Sequence, residues 1–220
     1  MYFLIPLCIC IAVLFILQEK KENYVPAVIL KGLASLCFVI LGFCASKEAQ
    51  ASKMIIAGLI LGCIADVLLN LRFVFKEKGK LVFLVGILIF LSGHIAYLAA
   101  VLPMAENKII VVIAGIILTA LLMKWLFTKI TAEKAFKIFG IVYIGAIVLL
   151  NCFAVRCTIS DPSSFFLFFT AGALLFLLSD IILILNTFGS EQRFSLRVSN
   201  LLLYYAGQLL IAMSLLFLKP

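Results

Sequence analysis

Long apolar blocks separated by short charged connections constrain the fold of this chain more than any other feature of its sequence. Of its 220 residues, 66% are hydrophobic and only 13% are charged, a composition outside the range of soluble domains. Blocks of roughly 17 to 25 apolar residues match the thickness of a bilayer, so we expect about eight membrane spans. They cover residues 2–17, 27–45, 54–72, 81–102, 108–126, 135–154, 164–186 and 199–218.

The apolar blocks also limit the secondary structure. No water is available in the bilayer core to satisfy the backbone, so only α-helices or a closed β-barrel can span it. Blocks of nearly twenty residues are too long for barrel strands, which predicts an all-α, polytopic membrane protein. The first block, MYFLIPLCICIAVLFIL, has no basic region before it and no small-residue cleavage site after it. We therefore expect it to be the first span and not a removable signal peptide.

The basic residues are distributed as in a membrane protein that encodes its orientation. The net charge is +8, but lysine and arginine are dispersed through the connections between spans, so we expect no nucleic-acid partner. Counting Lys31, the connections after spans 1, 3, 5 and 7 hold 13 of the 18 basic residues. By the positive-inside rule these connections face the cytoplasm, and both termini face away from it.

Two parts of the chain look like copies of one unit. A shift of 114 residues aligns Gly58 with Gly172, Asp66 with Asp180, Gly93 with Gly207, and His94 with Gln208. Since four spans separate the copies, both run in the same direction. The sequence predicts one integral membrane domain over residues 1–220 with a parallel 4+4 repeat, its halves covering about 1–105 and 106–220.

Asp66 and Asp180 are the strongest candidates for chemistry, because a carboxylate inside an apolar span is costly and usually functional. On span 3, Asp66 and Asn70 are four residues apart and share one stripe of the helix. Helical rise places both aspartates roughly 9 Å from the cytoplasmic ends of their spans, and His94 near 20 Å. Further polar residues of the candidate site lie on spans 4, 6 and 8: Tyr97, Tyr143, Tyr205 and Gln208.

The same residues also permit a purely structural interpretation, in which hydrogen bonds from the aspartates hold the bundle together. Metal chemistry is disfavoured, because a single histidine cannot build a multi-histidine zinc centre. The seven cysteines form no CxxC pair, and we assign neither a metal nor a disulfide to them. A serine nucleophile is unsupported, since the chain has no GxSxG motif.

Four motifs resemble the YhhN/TMEM86 family of lysoplasmalogenases. They are ADVLL on span 3, FLSGHIAYLAA on span 4, GALLFLLSD on span 7 and YYAGQLLIA on span 8. Their order and spacing resemble those of the family over most of the chain. Three small residues depart from the family's usual pattern, Gly32 in place of Pro, Ala65 in place of Gly and Gly207 in place of Ala, which weakens the substrate assignment more than the family assignment.

The resemblance implies hydrolysis of the vinyl ether bond of lysoplasmalogens, releasing a fatty aldehyde and glycerophosphoethanolamine or glycerophosphocholine, without a cofactor. Two carboxyl groups suit this reaction, one as general acid and one ionised to stabilise the cation and activate water. Asp66 and Asp180 would share these roles in an order that the sequence leaves open. His94, Tyr97, Tyr205 and Gln208 would orient water or the glycerol hydroxyl.

Lys31 would bind the phosphate of the lysophospholipid substrate, and the chain would lie among the lipids of a bacterial cytoplasmic membrane or, in a eukaryote, of the endoplasmic reticulum. Two other functions stay open. A lipid or small-solute carrier or flippase also combines repeated halves with an intramembrane polar site, but it needs two compartments where an enzyme does not. A structural or sensory protein would tolerate asparagine at both aspartates.

Overall fold

The computed structural model describes residues 1–131 and 134–219. Eight α-helices form the fold within these ranges, which confirms the predicted fold class. They are α1 (Leu4–Lys20), α2 (Tyr24–Ala45), α3 (Gln50–Val74), α4 (Gly79–Val101), α5 (Lys108–Phe127), α6 (Lys134–Ser160), α7 (Ser164–Phe188) and α8 (Phe194–Ser214).

The helices are apolar on their outer surfaces, as a bilayer requires. In the described part of the chain, seven helices are long and apolar enough to cross a membrane, and α1 is shorter at 17 residues. Large aliphatic side chains face outwards without a protein partner; Ile109 is 78% exposed and Ile116 is 60% exposed. Such a surface would be unfavourable in water but is compatible with lipid tails, which are equally apolar. The chain is an integral membrane protein.

Contacts between helices follow the order expected of two similar halves. In the first half α1 packs on α2, α2 on α3 and α3 on α4, and in the second α5 packs on α6, α6 on α7 and α7 on α8. The halves meet through α4 with α6 and through α2 with α8. If the helices are counted in a cycle, so that α1 follows α8, a shift by four helices turns the α4–α6 contact into the α8–α2 contact. The contacts thus have the pattern of a parallel 4+4 repeat, while the half boundaries stay a prediction.

Glycines bring the helices of each half close together at equivalent places. A Cβ atom on Gly172 would lie 2.7 Å from the carbonyl oxygen of Gly207, and one on Gly207 would lie 2.9 Å from that of Gly172. In the first half, a Cβ on Gly93 would lie 3.3 Å from the carbonyl oxygen of Gly58. Close backbone contacts therefore hold α3 against α4 and α7 against α8.

The connections α1–α2, α3–α4, α5–α6 and α7–α8, in which the sequence predicts most of the basic residues to gather, lie at one end of the bundle, here called the basic end. Arg197 at the start of α8 forms a two-pronged ion pair with Glu19 at the end of α1, at 2.8 and 3.0 Å. Tyr24 at the start of α2 stacks on Phe73 near the end of α3, with ring centroids 5.1 Å apart. The backbone of Thr131, after α5, donates to the carbonyl of Phe188 at the end of α7.

Candidate functional site

Asp66 and Asp180 line one cleft, near the basic end of the bundle. Helices α2, α3, α4, α7 and α8 build it, so it combines side chains from both halves. Both aspartates are almost fully buried, with 2% and 1% of their surface exposed. The other polar lining residues are Lys31, Asn70, Arg72, Ser179, Arg197, Asn200 and Tyr204, and among the apolar ones are Leu69, Phe83, Phe90 and Leu183.

Three donors surround Asp66. The hydroxyls of Ser35 and Tyr204 each donate to its Oδ2 at 2.6 Å, and the ammonium of Lys31 lies 3.1 Å from its Oδ1. Lys31 is itself buried, with 4% of its surface exposed, so the pair is enclosed by protein. Two hydroxyl donors and a direct ion pair stabilise a negative charge on Asp66.

A polar network connects this cluster to the basic end. Lys31 also donates to Asn70 Oδ1 at 3.2 Å, and Arg197 approaches the same oxygen at 3.5 Å. Asn200, which accepts from Arg197 at 3.4 Å, donates to the hydroxyl of Ser179 at 2.8 Å. The network thereby reaches α7 one residue before Asp180.

Asp180 has a much sparser environment. The Tyr143 hydroxyl donates to its Oδ2 at 2.6 Å. His94 Nε2 lies 3.7 Å from the same oxygen, too far for a hydrogen bond. Among the described residues no lysine or arginine pairs with Asp180, and no hydrogen bond reaches its Oδ1. The two carboxyl groups of the cleft therefore differ in charge compensation.

His94 lies behind the cleft and does not line it. Its ring packs edge-on against Phe176 at 4.5 Å, Phe90 at 5.5 Å and Tyr143 at 5.8 Å between centroids. Neither of its ring nitrogens has a hydrogen-bond partner within the described residues. The histidine supports the ring of Tyr143 from within an aromatic cage.

Tyr97 and Gln208 reach Asp66 through a third residue. The Tyr97 hydroxyl donates to Gln208 Oε1 at 2.7 Å, and Gln208 Nε2 lies 3.4 Å from the hydroxyl of Tyr204. Tyr205, next to Tyr204 in the chain, lines an apolar groove between α1 and α8 instead of the cleft. Its hydroxyl has no hydrogen-bond partner in the part of the chain that the structure describes.

A comparison with protein families assigns the chain. The YhhN family matches residues 26–215, a stretch that contains every cleft residue. The chain belongs to the YhhN family. Comparisons with curated proteins and with solved structures gave no match. The family predicted from the four motifs is confirmed, and the roles of the individual residues stay predictions.

Two further cavities of this YhhN protein share lining residues with the cleft. The first, called the slot, lies between α3 and α4 of one half and α6 and α7 of the other, and shares Leu69, Phe83, Phe90 and Leu183 with the cleft. Its remaining lining is Ile87, Phe136, Phe139, Gly140, Tyr143, Ile184, Thr187 and Phe188.

The second cavity, called the vestibule, is a wider opening at the basic end. It shares Arg72, Leu183 and Arg197 with the cleft. The rest of its lining is Glu19, Lys20, Glu22, Tyr24, Phe73, Asn186, Thr187, Gln192, Arg193 and Phe194. An apolar slot, a polar cleft and a charged vestibule thus adjoin one another through common wall residues.

Sequence reasoning overlooked Ser35, which bonds to Asp66, and Asn200 and Tyr204 of the cleft, all of which helical spacing could have indicated. Ser35 is four residues after Lys31, and Asn200, Tyr204 and Gln208 follow one another at intervals of four. Each set forms a polar stripe on an otherwise apolar helix. Arg72 and Arg197 looked like ordinary charges at the ends of spans, and only the packing of five helices places them at the cleft.

Proposed function

We propose that this YhhN protein hydrolyses the vinyl ether bond of lysoplasmalogens to a fatty aldehyde and a glycerophospho-alcohol. One observation carries the proposal: two buried carboxyl groups with unequal partners, Asp66 and Asp180, line the same cleft. Family membership supports a function shared within the family. The cleft supports an acid-catalysed reaction through a cationic intermediate.

The unequal partners favour a division of roles that the sequence left open. Asp66 is the fixed carboxylate, because Lys31, Ser35 and Tyr204 all stabilise its negative charge. Asp180 is the general acid, because the Tyr143 hydroxyl engages only its Oδ2 and leaves Oδ1 to carry the proton. Two carboxyl groups in different environments divide acid and charge-stabilising roles in this way in glycosidases.

In the proposed reaction Asp180 first donates a proton and later regains one. Asp180 transfers its proton to the β-carbon of the vinyl ether, and the adjacent carbon becomes an oxocarbenium ion stabilised by the negative charge of Asp66. Water adds to that carbon and gives its proton to Asp180, by then a carboxylate. The hemiacetal hydroxyl proton then moves to the glycerol oxygen as the carbon–oxygen bond breaks, which releases the aldehyde.

The cavities accommodate the parts of such a substrate. The aliphatic chain would occupy the slot, whose lining is mostly phenylalanine, leucine and isoleucine, and the vinyl ether would lie between the aspartates. Tyr143 positions Asp180, while Gln208 and Tyr97 act through Tyr204. Ring packing from His94 keeps Tyr143 in place.

Aldehyde release from lysoplasmenylethanolamine by the detergent-purified protein tests the proposal. Asp180→Asn should lower kcat by about 100-fold or more, the usual contribution of a general acid, and Asp66→Asn should do so by about 100-fold or more because it removes the charge that stabilises the cation. Asp161→Asn, at the exposed aspartate between α6 and α7, is the matched control and should keep full activity. A folded wild-type protein that releases no aldehyde, or full activity in both cleft variants, would refute the proposal.

A lipid carrier is the second candidate, and the repeated pattern of helix contacts is the observation that favours it. The two functions differ in their requirement for a membrane. A hydrolase consumes its substrate in detergent solution, whereas a carrier moves intact lipid between the leaflets of a liposome and forms no aldehyde. Measuring both with one preparation separates them.

A further inference from the structure

Arg72, near the C-terminal end of α3, is a cation without a direct ion pair; Glu19, which pairs with Arg197, acts on it only from a longer distance. The Arg72 side chain forms no ion pair or hydrogen bond with the described residues, and its Nε is shielded from solvent and unpaired. The guanidinium lies over the rings of Phe73 and Phe83, with Cζ 4.6 and 4.4 Å from their centroids. Aromatic contacts of this kind hold a guanidinium in place by its faces and leave its N–H edge available for an acceptor.

The other cations of the cleft are already compensated. Lys31 lies between Asp66 and Asn70, and Arg197 forms its two-pronged ion pair with Glu19. A phosphate bound to either of them would have to displace a carboxylate. Arg72 carries the unmatched positive charge of the cleft wall, and its free N–H groups can bind two oxygens of a phosphate at once.

Arg72 also lies at a distance from Asp66 that matches the length of the substrate between its vinyl ether and its phosphate. It lines both the cleft and the vestibule, and it lies six residues beyond Asp66 on one helix, a rise of about 9 Å. In a lysoplasmalogen, seven bonds separate the vinyl β-carbon from the phosphorus, and an extended chain covers about 8 Å over that many bonds. A substrate with its vinyl ether at Asp66 can therefore bring its phosphate to Arg72.

We propose that Arg72 is the phosphate-binding residue for the head group of a lysophospholipid, with the ethanolamine or choline directed into the vestibule. This assignment rests on the proposed function for the identity of the lipid. It differs from the expectation that Lys31 binds the phosphate. Arg72 is a binding residue in this scheme and takes no part in the proton transfers.

Equilibrium binding to the detergent-purified protein tests the assignment without requiring turnover. The probes are a 1-O-alkyl lysophosphoethanolamine, which lacks the vinyl double bond, the matching 1-O-alkylglycerol, which lacks the phosphate, and inorganic phosphate. Arg72→Gln should weaken binding of the phospholipid probe by about 10- to 100-fold, the value of a charge-assisted hydrogen bond, and leave the alkylglycerol unaffected. Arg72→Lys should recover part of the affinity because it keeps the charge.

Arg156→Gln is the matched control, since Arg156 pairs with Glu106 at the end of the bundle opposite the cleft; it should bind every probe as the wild type does. Unchanged binding of the phospholipid probe by Arg72→Gln, or an equal loss of both lipid probes, would overturn the assignment. Inorganic phosphate that binds Arg72 as tightly as the lipid would identify a free-phosphate site instead. Normal Arg72-dependent binding without aldehyde release would contradict the proposed reaction but support the phosphate site.

Discussion

Asp66 is surrounded by groups whose loss would have unequal costs. Lys31 compensates its charge directly, and removing one member of a buried ion pair costs about 3–5 kcal/mol because the other charge is left uncompensated. The hydroxyls of Ser35 and Tyr204 contribute less to folding, since each is one of two donors to the same oxygen. Hydroxyl deletions are therefore the variants that report on chemistry with the fold intact.

Tyr204→Phe should lower kcat about tenfold or more, because a hydrogen bond to a charged group is worth about 1.5–3 kcal/mol and this one stabilises the carboxylate that faces the cation. Tyr2→Phe, at an exposed tyrosine before α1 that does not line the cleft, should change kcat by less than about threefold, because no hydrogen bond to a charged group is lost there. Steady-state aldehyde release measures both. Equal losses in the two variants would contradict the role assigned to Tyr204.

At the scale of the helices, the two glycine crossings set the distance between α3 and α4 and between α7 and α8. The crossing of α7 and α8 is reciprocal, since each of Gly172 and Gly207 faces the backbone carbonyl of the other. A carbonyl in a helix cannot move aside as a flexible side chain can. Any side chain at these glycines must therefore separate the helices, and with them Asp180 and Tyr204.

Gly172→Ala should destabilise the protein by about 1–3 kcal/mol, the usual cost of overpacking, because its Cβ would lie 2.7 Å from the Gly207 carbonyl oxygen. Gly145→Ala on α6 is the control: its Cβ would meet Thr119 Cγ2 at 3.6 Å, an ordinary contact, and alanine favours the helix. Thermal unfolding in detergent should show a lower Tm for the first variant and an unchanged or higher Tm for the second. The opposite order would show that the crossing can relax.

At the scale of the whole molecule, the basic connections and the vestibule lie at the same end of the bundle. The connections α1–α2, α3–α4, α5–α6 and α7–α8, together with the helix ends beside them and Lys31, carry most of the basic residues, and the vestibule opens among the same connections. The positive-inside rule predicts that this end faces the cytoplasm. A lysophospholipid would then enter from the cytoplasmic leaflet, with its chain in the slot and its head group at the membrane surface.

Cysteine labelling in sealed cells tests this orientation. In a background without the seven native cysteines, Asp161→Cys in the α6–α7 connection should react with a membrane-impermeant maleimide added outside. Gln192→Cys in the α7–α8 connection should react only after permeabilisation, because that connection is on the basic end. Both positions are exposed in the structure, so a difference reports on sidedness; the reverse pattern would contradict the predicted topology.

Local features of the amino-acid sequence were enough to predict the helices, the membrane environment and the family. Apolar length and the cost of burying an unpaired backbone or charge act locally, so eight helices and the choice of Asp66 and Asp180 as candidates follow from the residues alone. The polar partners at intervals of four on α2 and α8 were within reach of the same reasoning. Helical rise also gives the depth of a residue along its span, and on that basis we predicted that His94 lies deeper than the aspartates.

Only the tertiary structure decided which polar groups meet. Periodicity places Lys31 and Ser35 on one face of α2, but the packing of α2 against α3 and α8 directs that face to Asp66 and not to Asp180. The same packing pairs Arg197 with Glu19, 178 residues away, and leaves Arg72 without a direct ion pair. Contacts between distant residues depend on how whole helices cross, and no local pattern encodes those crossings; the proposed division of roles between the two aspartates therefore rests on the folded bundle.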